Sequence, residues 1–380
     1  MTPAEFFAAY DGFGERRTGG AGDIASAAWL RDHAAAAGAT AAALVPVAFT
    51  RFLPGPARLE VEGRSIEGLP LFDGGITGSE GVAGALGPLG SGAPIAVVET
   101  EPRAASLPGN TFALARRESR HAAIVVALRT KPDSLAPLNA HDAEAPFGPP
   151  VLQVAGREAA ALTGLAERGV PARLVAAGRR EPGASHNVRA ELPGDDSSLL
   201  VLLTPRTSWW TSTAERAGGI LAWLTALQAL AGAPRRRAAV VALATCGHEL
   251  GHLGAHRAFA AEPSLATDSA LVLHLGANLG CAGDARLTVR SNVAGVAERM
   301  AEALVAAGHP RAVLEVASGG KANGEAHEIE ARGGRYLSLI GHNPWFHAPE
   351  DHWPDSVDPD RAAAIARAVA SFAEAQGARI

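Results

Sequence analysis

The sequence predicts an α/β protein: a mostly parallel sheet with helices on both faces, interrupted by a small β-rich insert. Two observations carry that prediction. From Ser198 onward, short apolar runs alternate with amphipathic or Ala-rich stretches, as in parallel sheets covered by crossover helices. Between Phe52 and Ala184 this rhythm disappears, and short β-like runs are separated by Gly/Pro-rich loops instead. The expected units are therefore a discontinuous main domain, 1–51 and 185–380, and an insert, 52–184.

In order, Pro3 to Gly38 reads as two helices with Phe6, Phe7, Tyr10, Trp29 and Leu30 at amphipathic spacings. Leu44 to Arg51 reads as a strand. In the insert the β-like runs are Leu59 to Val61, Ala93 to Val98, Ala122 to Leu128, Val151 to Val154 and Ala172 to Ala176, with one helix from Gly156 to Gly169. The main domain then gives strands at Ser198 to Thr204, Ala238 to Thr245, Ala270 to Leu275, Val313 to Val316 and Tyr336 to Ile340. Its helices are Ala214 to Leu230, Ala255 to Ala260, Val293 to Ala307 and a closing one from Asp358 to Gln376.

The chain has 380 residues, enough for two cores. A net charge of −5 gives no general attraction to nucleic acid or anionic lipid. No stretch approaches the roughly 20 apolar residues of a membrane span. Two cysteines, Cys246 and Cys281, do not make a disulfide framework. Met1 to Glu5 lacks a basic and an apolar region of the signal-peptide kind, so a cytoplasmic location is the expectation.

Potential chemistry is densest at Gly247-His248-Glu249-Leu250-Gly251-His252. The pattern H-E-x-x-H on a long helix binds zinc through two His one turn apart. Here a buried strand runs straight into the motif, Gly247 and Gly251 bracket it as a turn, and His256 is two residues too early for the extended signature. The better reading places His248 and Glu249 at the carboxyl edge of a sheet, where open α/β folds bind ligands. Two further strand-end loops are polar: Thr204 to Trp210, leading to Glu215, and Gly341 to Asp351, with His342, Trp345 and His347. Glu215, Glu249 and His347 from three strand ends suit one Zn²⁺ with an open fourth position. Singly, each has a plainer role: Glu215 complements a helix dipole, His347 is a hydrogen-bonded loop His, and Trp209, Trp210 and Trp345 are packing residues.

The order of these motifs resembles the co-catalytic zinc aminopeptidases of the bacterial leucyl-aminopeptidase type, a group that includes glutaminyl cyclases and glutamate-carboxypeptidase-like enzymes. Arg17 to Gly38 is similar to the opening helix of that family, His186 to Gly194 to the strand that opens its catalytic half, and 52–184 to its protease-associated insert. Glu215-Arg216-Ala217-Gly218-Gly219 falls on D-N-x-s-G, His248-Glu249-Leu250-Gly251 on E-E-x-G, and His347 to Asp351 on H-t-x-x-D. The resemblance implies metal ligands at Glu215, Glu249 and His347. It also implies a general-base position, usually Glu, occupied here by His248. Pro205-Arg206-Thr207 stands where the family has H-x-D, and Gly276 where it has an Asp ligand, so one of the two metal sites is expected to be lost. The implied activity is hydrolysis of a small peptide or amide with one zinc per chain and His248 as base or fourth ligand. Arg206, Trp209, Trp210, Glu325, His327, His342 and Trp345 are the expected pocket residues. The alternatives are a non-catalytic homologue that binds a ligand or partner in the degenerate cleft, and acyl transfer of the glutaminyl-cyclase kind.

Overall fold

The computed structural model describes residues 1–102, 110–130 and 133–379. Two helices open the chain, α1 (Pro3–Asp11) and α2 (Ala21–Ala36). Thr2 caps α1 in a capping box with Glu5, which satisfies donors the helix cannot pair internally. A 21-residue strand follows, β1 (Ala41–Val61), then β2 (Arg64–Glu67), β3 (Leu69–Pro70), β4 (Val82–Pro88) and β5 (Ile95–Thr100). The chain continues with α3 (Thr111–Glu118), β6 (Ala123–Leu128), β7 (Val151–Ala155) and α4 (Ala159–Glu167). A 22-residue strand, β8 (Pro171–Leu192), leads back.

The two long strands pair antiparallel from Ala41 opposite Glu191 to Val61 opposite Ala172, with a bulge between Pro54 and Ala57. Residues 52–184 are thus joined to the rest by unbroken strands, and the expected limits at 51/52 and 184/185 fall inside paired backbone. Residues 52–184 hold two apolar clusters, one around Leu59, Val125, Leu162 and Leu174, another around Leu71, Ile124, Val126 and Phe112.

The main domain is β9 (Leu199–Pro205), α5 (Thr213–Gly232), β10 (Ala239–Thr245), α6 (Leu253–Ala261), α7 (Ser264–Thr267), β11 (Leu271–Leu275) and β12 (Leu287–Ser291). It ends with α8 (Val296–Ala306), β13 (Leu314–Ser318), α9 (Ala326–Glu330), β14 (Tyr336–Gly341) and α10 (Pro359–Arg379). Strands β14, β11, β9 and β10 form its parallel centre, and β8 and β12 flank this centre antiparallel. The period of two sorts side chains between the faces. In β9, Leu200 and Leu202 meet α5 and α10, while Val201 and Leu203 face α6, α7 and α9. Strand β12, absent from the sequence reading, alternates buried Leu287, Val289 and Ser291 with Thr288 and Arg290. No helix among the described residues is long and apolar enough to cross a membrane.

Candidate functional site

Strands β9, β10, β11 and β14 all end at one edge, and their following loops build the site. Helix α5 enters that edge with Glu215 in its first turn. The Asp351 carboxylate caps it, accepting the backbone N–H groups of Ala214 at 2.7 Å and Glu215 at 3.0 Å. Burial pushes Asp351 up to about 6. Gly218 lets the helix touch the loop after β11, because a Cβ there would lie 1.6 Å from the Leu279 carbonyl oxygen.

Glu215 and His347 meet, with Glu215 Oε1 3.7 Å from His347 Nε2. His347 Nδ1 donates to the Pro137 carbonyl at 2.6 Å. Burial lowers this imidazole to about 3, so the ring is neutral and Nε2 keeps its lone pair. Beside them lies a cation of the chain's own: the Arg216 guanidinium is 2.6 Å from Glu215 Oε1, and both side chains are fully buried. Arg216 Nε also donates to the Thr207 carbonyl at 2.8 Å.

Glu249 points elsewhere. Its Oε1 accepts the Thr18 N–H at 2.7 Å and the Thr18 hydroxyl at 2.6 Å, and its Oε2 accepts the Thr207 hydroxyl at 2.8 Å. Burial raises the pKa of Glu215 and of Glu249. The structure therefore does not gather Glu215, Glu249 and His347 into one ligand set. Glu215 Oε1 and Oε2 and His347 Nε2 are buried without a hydrogen-bond partner, so this pair keeps lone pairs that a cation could take, beside the Arg216 guanidinium. No hydrogen bond or ion pair joins Glu249 to either of them among the described residues. Nor does Gly276 leave room for a carboxylate, since a Cβ there would sit 2.9 Å from both His274 Cε1 and Ile340 Cγ1.

The open space lies alongside. A cavity of about 480 Å³ is lined by His248, His252, His274, Asn278, Glu325 and Phe346, and from residues 52–184 by Arg129, Thr130 and Asn139. In its wall His248 Nδ1 is 2.8 Å from Glu325 Oε1, and Glu325 Oε2 is 3.2 Å from His274 Nε2. His274 Nδ1 is 2.8 Å from the Ser338 hydroxyl. One protonation pattern satisfies every contact: Ser338 donates to His274, and both imidazoles donate to an ionised Glu325. Burial, reinforced by the positive charge of Arg216, lowers His248 to about 3 and keeps it neutral. His248 is then left with the lone pair on Nε2. Among the described residues, the one group of three ligating side chains whose donor atoms all lie within 4.8 Å is His248, His252 and Glu325.

Of the expected pocket residues, Glu325 lines the cavity. Arg206 is buried in an ion pair with Asp23 at 2.5 Å and bonds to Ser185 and His186. Trp209 is a packing residue, edge-on to Phe72 with ring centres 4.6 Å apart and its Nε1 donating to Asn139. Trp210 packs half-buried against the same cluster, and Trp345 against the main core. His327 and His342 are half-buried and line no part of the cavity. His252, His274 and Asn278 were not expected there. A His inside the apolar run Leu271 to Leu275 was the available signal for His274.

No protein-family model matches the chain, and no curated protein does. Solved structures do. The aminopeptidase from Aneurinibacillus sp. strain AM-1 superposes with a TM-score of 0.75 over 99% of this chain and 94% of that one, at 16% identity. The fold is that of the zinc aminopeptidases. The Bacillus subtilis zinc aminopeptidase BSAP gives 0.74 over 97% and 93%, also at 16% identity. A peptidase M28 precursor from Shewanella amazonensis SB2B gives 0.73 over 99% and 92%, at 15% identity. At such identities the likeness is one of fold. On this zinc-aminopeptidase fold, the positions expected to ligate metal carry Glu215 beside Arg216, a hydrogen-bonded Glu249 and a His347 whose Nε2 has no hydrogen-bond partner. The adjoining cavity carries the imidazoles.

Proposed function

We propose that the chain is a hydrolase of amide or peptide bonds that uses one zinc ion and acts in the 480 Å³ cavity, with His248 as its central group. The observation that carries this reading is the His248–Glu325 contact at 2.8 Å in the cavity wall. A carboxylate that holds one ring nitrogen fixes the tautomer and directs the other nitrogen's lone pair. Such an imidazole suits either of the two roles expected from sequence, proton acceptor or ligand. The zinc-aminopeptidase fold, and the resemblance in motif order, support amides as the substrate class. In this reading residues 52–184 are an insert of the protease-associated kind that closes the cavity with Arg129, Thr130 and Asn139.

The test is turnover of aminoacyl, peptidyl and N-terminal glutaminyl amides by wild type and His248→Ala. Removing a general base lowers kcat by roughly 10² to 10⁴, and removing a zinc ligand also lowers bound metal. Wild-type turnover that persists in His248→Ala would move the chemistry elsewhere. A second reading is favoured by the Glu215–Arg216 ion pair, which sets a cation of the chain's own beside an expected metal ligand: a cleft that binds a peptide or amide without cleaving it. Saturable binding of the panel with no turnover would select it.

A further inference from the structure

The sequence sets His252 aside because the turn around it is not a zincin helix, and the backbone bears that out. His248–Leu250 form one 3-10 turn between Gly247 at φ 73° and Gly251 at φ 79°. His252 itself is left-handed, at φ 59°. That conformation is unfavourable for a residue with a side chain, and outliers of this sort gather at functional sites. Here it has a geometric result. It brings the His252 ring back over His248, with centroids 5.1 Å apart, although no helix joins them. Glu325 reaches the same place from the loop before α9, and all three side chains line the cavity.

We infer that His248, His252 and Glu325 hold a divalent transition-metal ion in the cavity wall, displaced from the position at Glu215 and His347. The donor atoms lie within 4.8 Å of one another. In a tetrahedral zinc site, ligands at about 2.0–2.1 Å stand some 3.4 Å apart, so the ion takes the place of the 2.8 Å His248–Glu325 hydrogen bond, and both side chains turn from each other onto the metal. Two imidazoles and a carboxylate suit Zn²⁺, Co²⁺ or Ni²⁺ rather than Mg²⁺ or Ca²⁺. Three protein ligands leave a fourth position open, and here it faces the cavity. The outer shell is also built: His274 Nε2 holds the second Glu325 oxygen at 3.2 Å and is held in turn by Ser338. Gly276 and Gly324 make room for that ring, since a Cβ on either would lie 2.9 or 3.1 Å from His274 Cε1. The inference rests on the cavity being the working site and assigns His248 the ligand role.

The test is a Co²⁺ titration of chelator-treated full-length protein, followed by visible absorption and by metal content after desalting. One Co²⁺ per chain is expected, with the strong d–d bands of a four-coordinate ion that Zn²⁺ then bleaches. His252→Asn, which tolerates the left-handed backbone, and Glu325→Gln should each weaken binding by roughly 10² or more, and His274→Gln by about 10- to 100-fold. Binding in His347→Asn should be unchanged. No bound Co²⁺ would overturn the site, as would binding that survives both His252→Asn and Glu325→Gln, or is lost in His347→Asn. The outcome is separable from the hydrolase reading. Co²⁺ held as described without amide turnover removes the hydrolase and keeps the site. Chelator-sensitive turnover that survives both ligand variants does the reverse.

Discussion

His347 shows how a residue's chemistry is set by what surrounds it. Its Nδ1–H is held by the Pro137 carbonyl and burial holds its pKa near 3, against an unfolded value of 6.5. A depressed His pKa favours folding fully above the unfolded value, and that stability is lost as pH falls from 6.5 towards 3. While the unfolded chain binds one more proton, the slope is about 1.4 kcal/mol per pH unit. His347→Asn keeps a donor for Pro137 and tolerates the left-handed φ of 61° at this position. Urea unfolding at about pH 7 and about pH 5 should therefore show a shallower loss in the variant than in wild type, by up to one proton's slope. An identical pH dependence would mean that the imidazole is not held neutral. Glu249 makes the complementary case. Its place in the motif was legible, but its commitment to Thr18 and Thr207 was not, because those partners lie 231 and 42 residues away in sequence.

At the scale of elements, α5 depends on close approach. Gly218 faces the Leu279 carbonyl and Gly219 faces that of Gly276, so the helix lies directly on the loop that carries Asn278. Gly218→Ala places a methyl carbon where no rotamer avoids backbone. It should destabilise by at least the ~1–3 kcal/mol typical of overpacking, read as a lower midpoint in urea. Unchanged stability would show that the helix can slide. The strands and helices of the main domain could be read because each has an apolar period of its own. Strand β12 escaped because Thr288 and Arg290 break the apolar run, and its antiparallel partner β14 lies 49 residues further on at Tyr336. The full length of the pair β1 and β8 escaped because Pro54, Gly55 and Pro56 read as a break after the strand Leu44 to Arg51, and Pro182-Gly183 as another. Pairing partners 150 residues away at Ala41 and Glu191 override that local preference.

For the whole molecule, the fold was legible and the site only in part. The motif order across the chain identified a zinc-aminopeptidase fold, and structures 15–16% identical share it over nearly the full length. Motif order fixes where strand ends lie, and the loops it singled out do follow β9, β10 and β14. It does not report which way each side chain turns once neighbours change. Arg216 follows Glu215 directly and supplies a buried positive charge at the place where a metal was expected. His248, His252 and Glu325 meanwhile line the adjoining cavity. In the proposed reading the chemistry lies in the cavity wall and not at Glu215, Glu249 and His347.

The most direct test of that claim is zinc content and amide turnover measured together on one preparation of His347→Asn. Both should be unchanged from wild type, because His347 neither lines the cavity nor belongs to the three-donor group. Loss of the metal, with turnover down by roughly 10² or more as for a removed ligand, would contradict it and return the site to Glu215, Glu249 and His347.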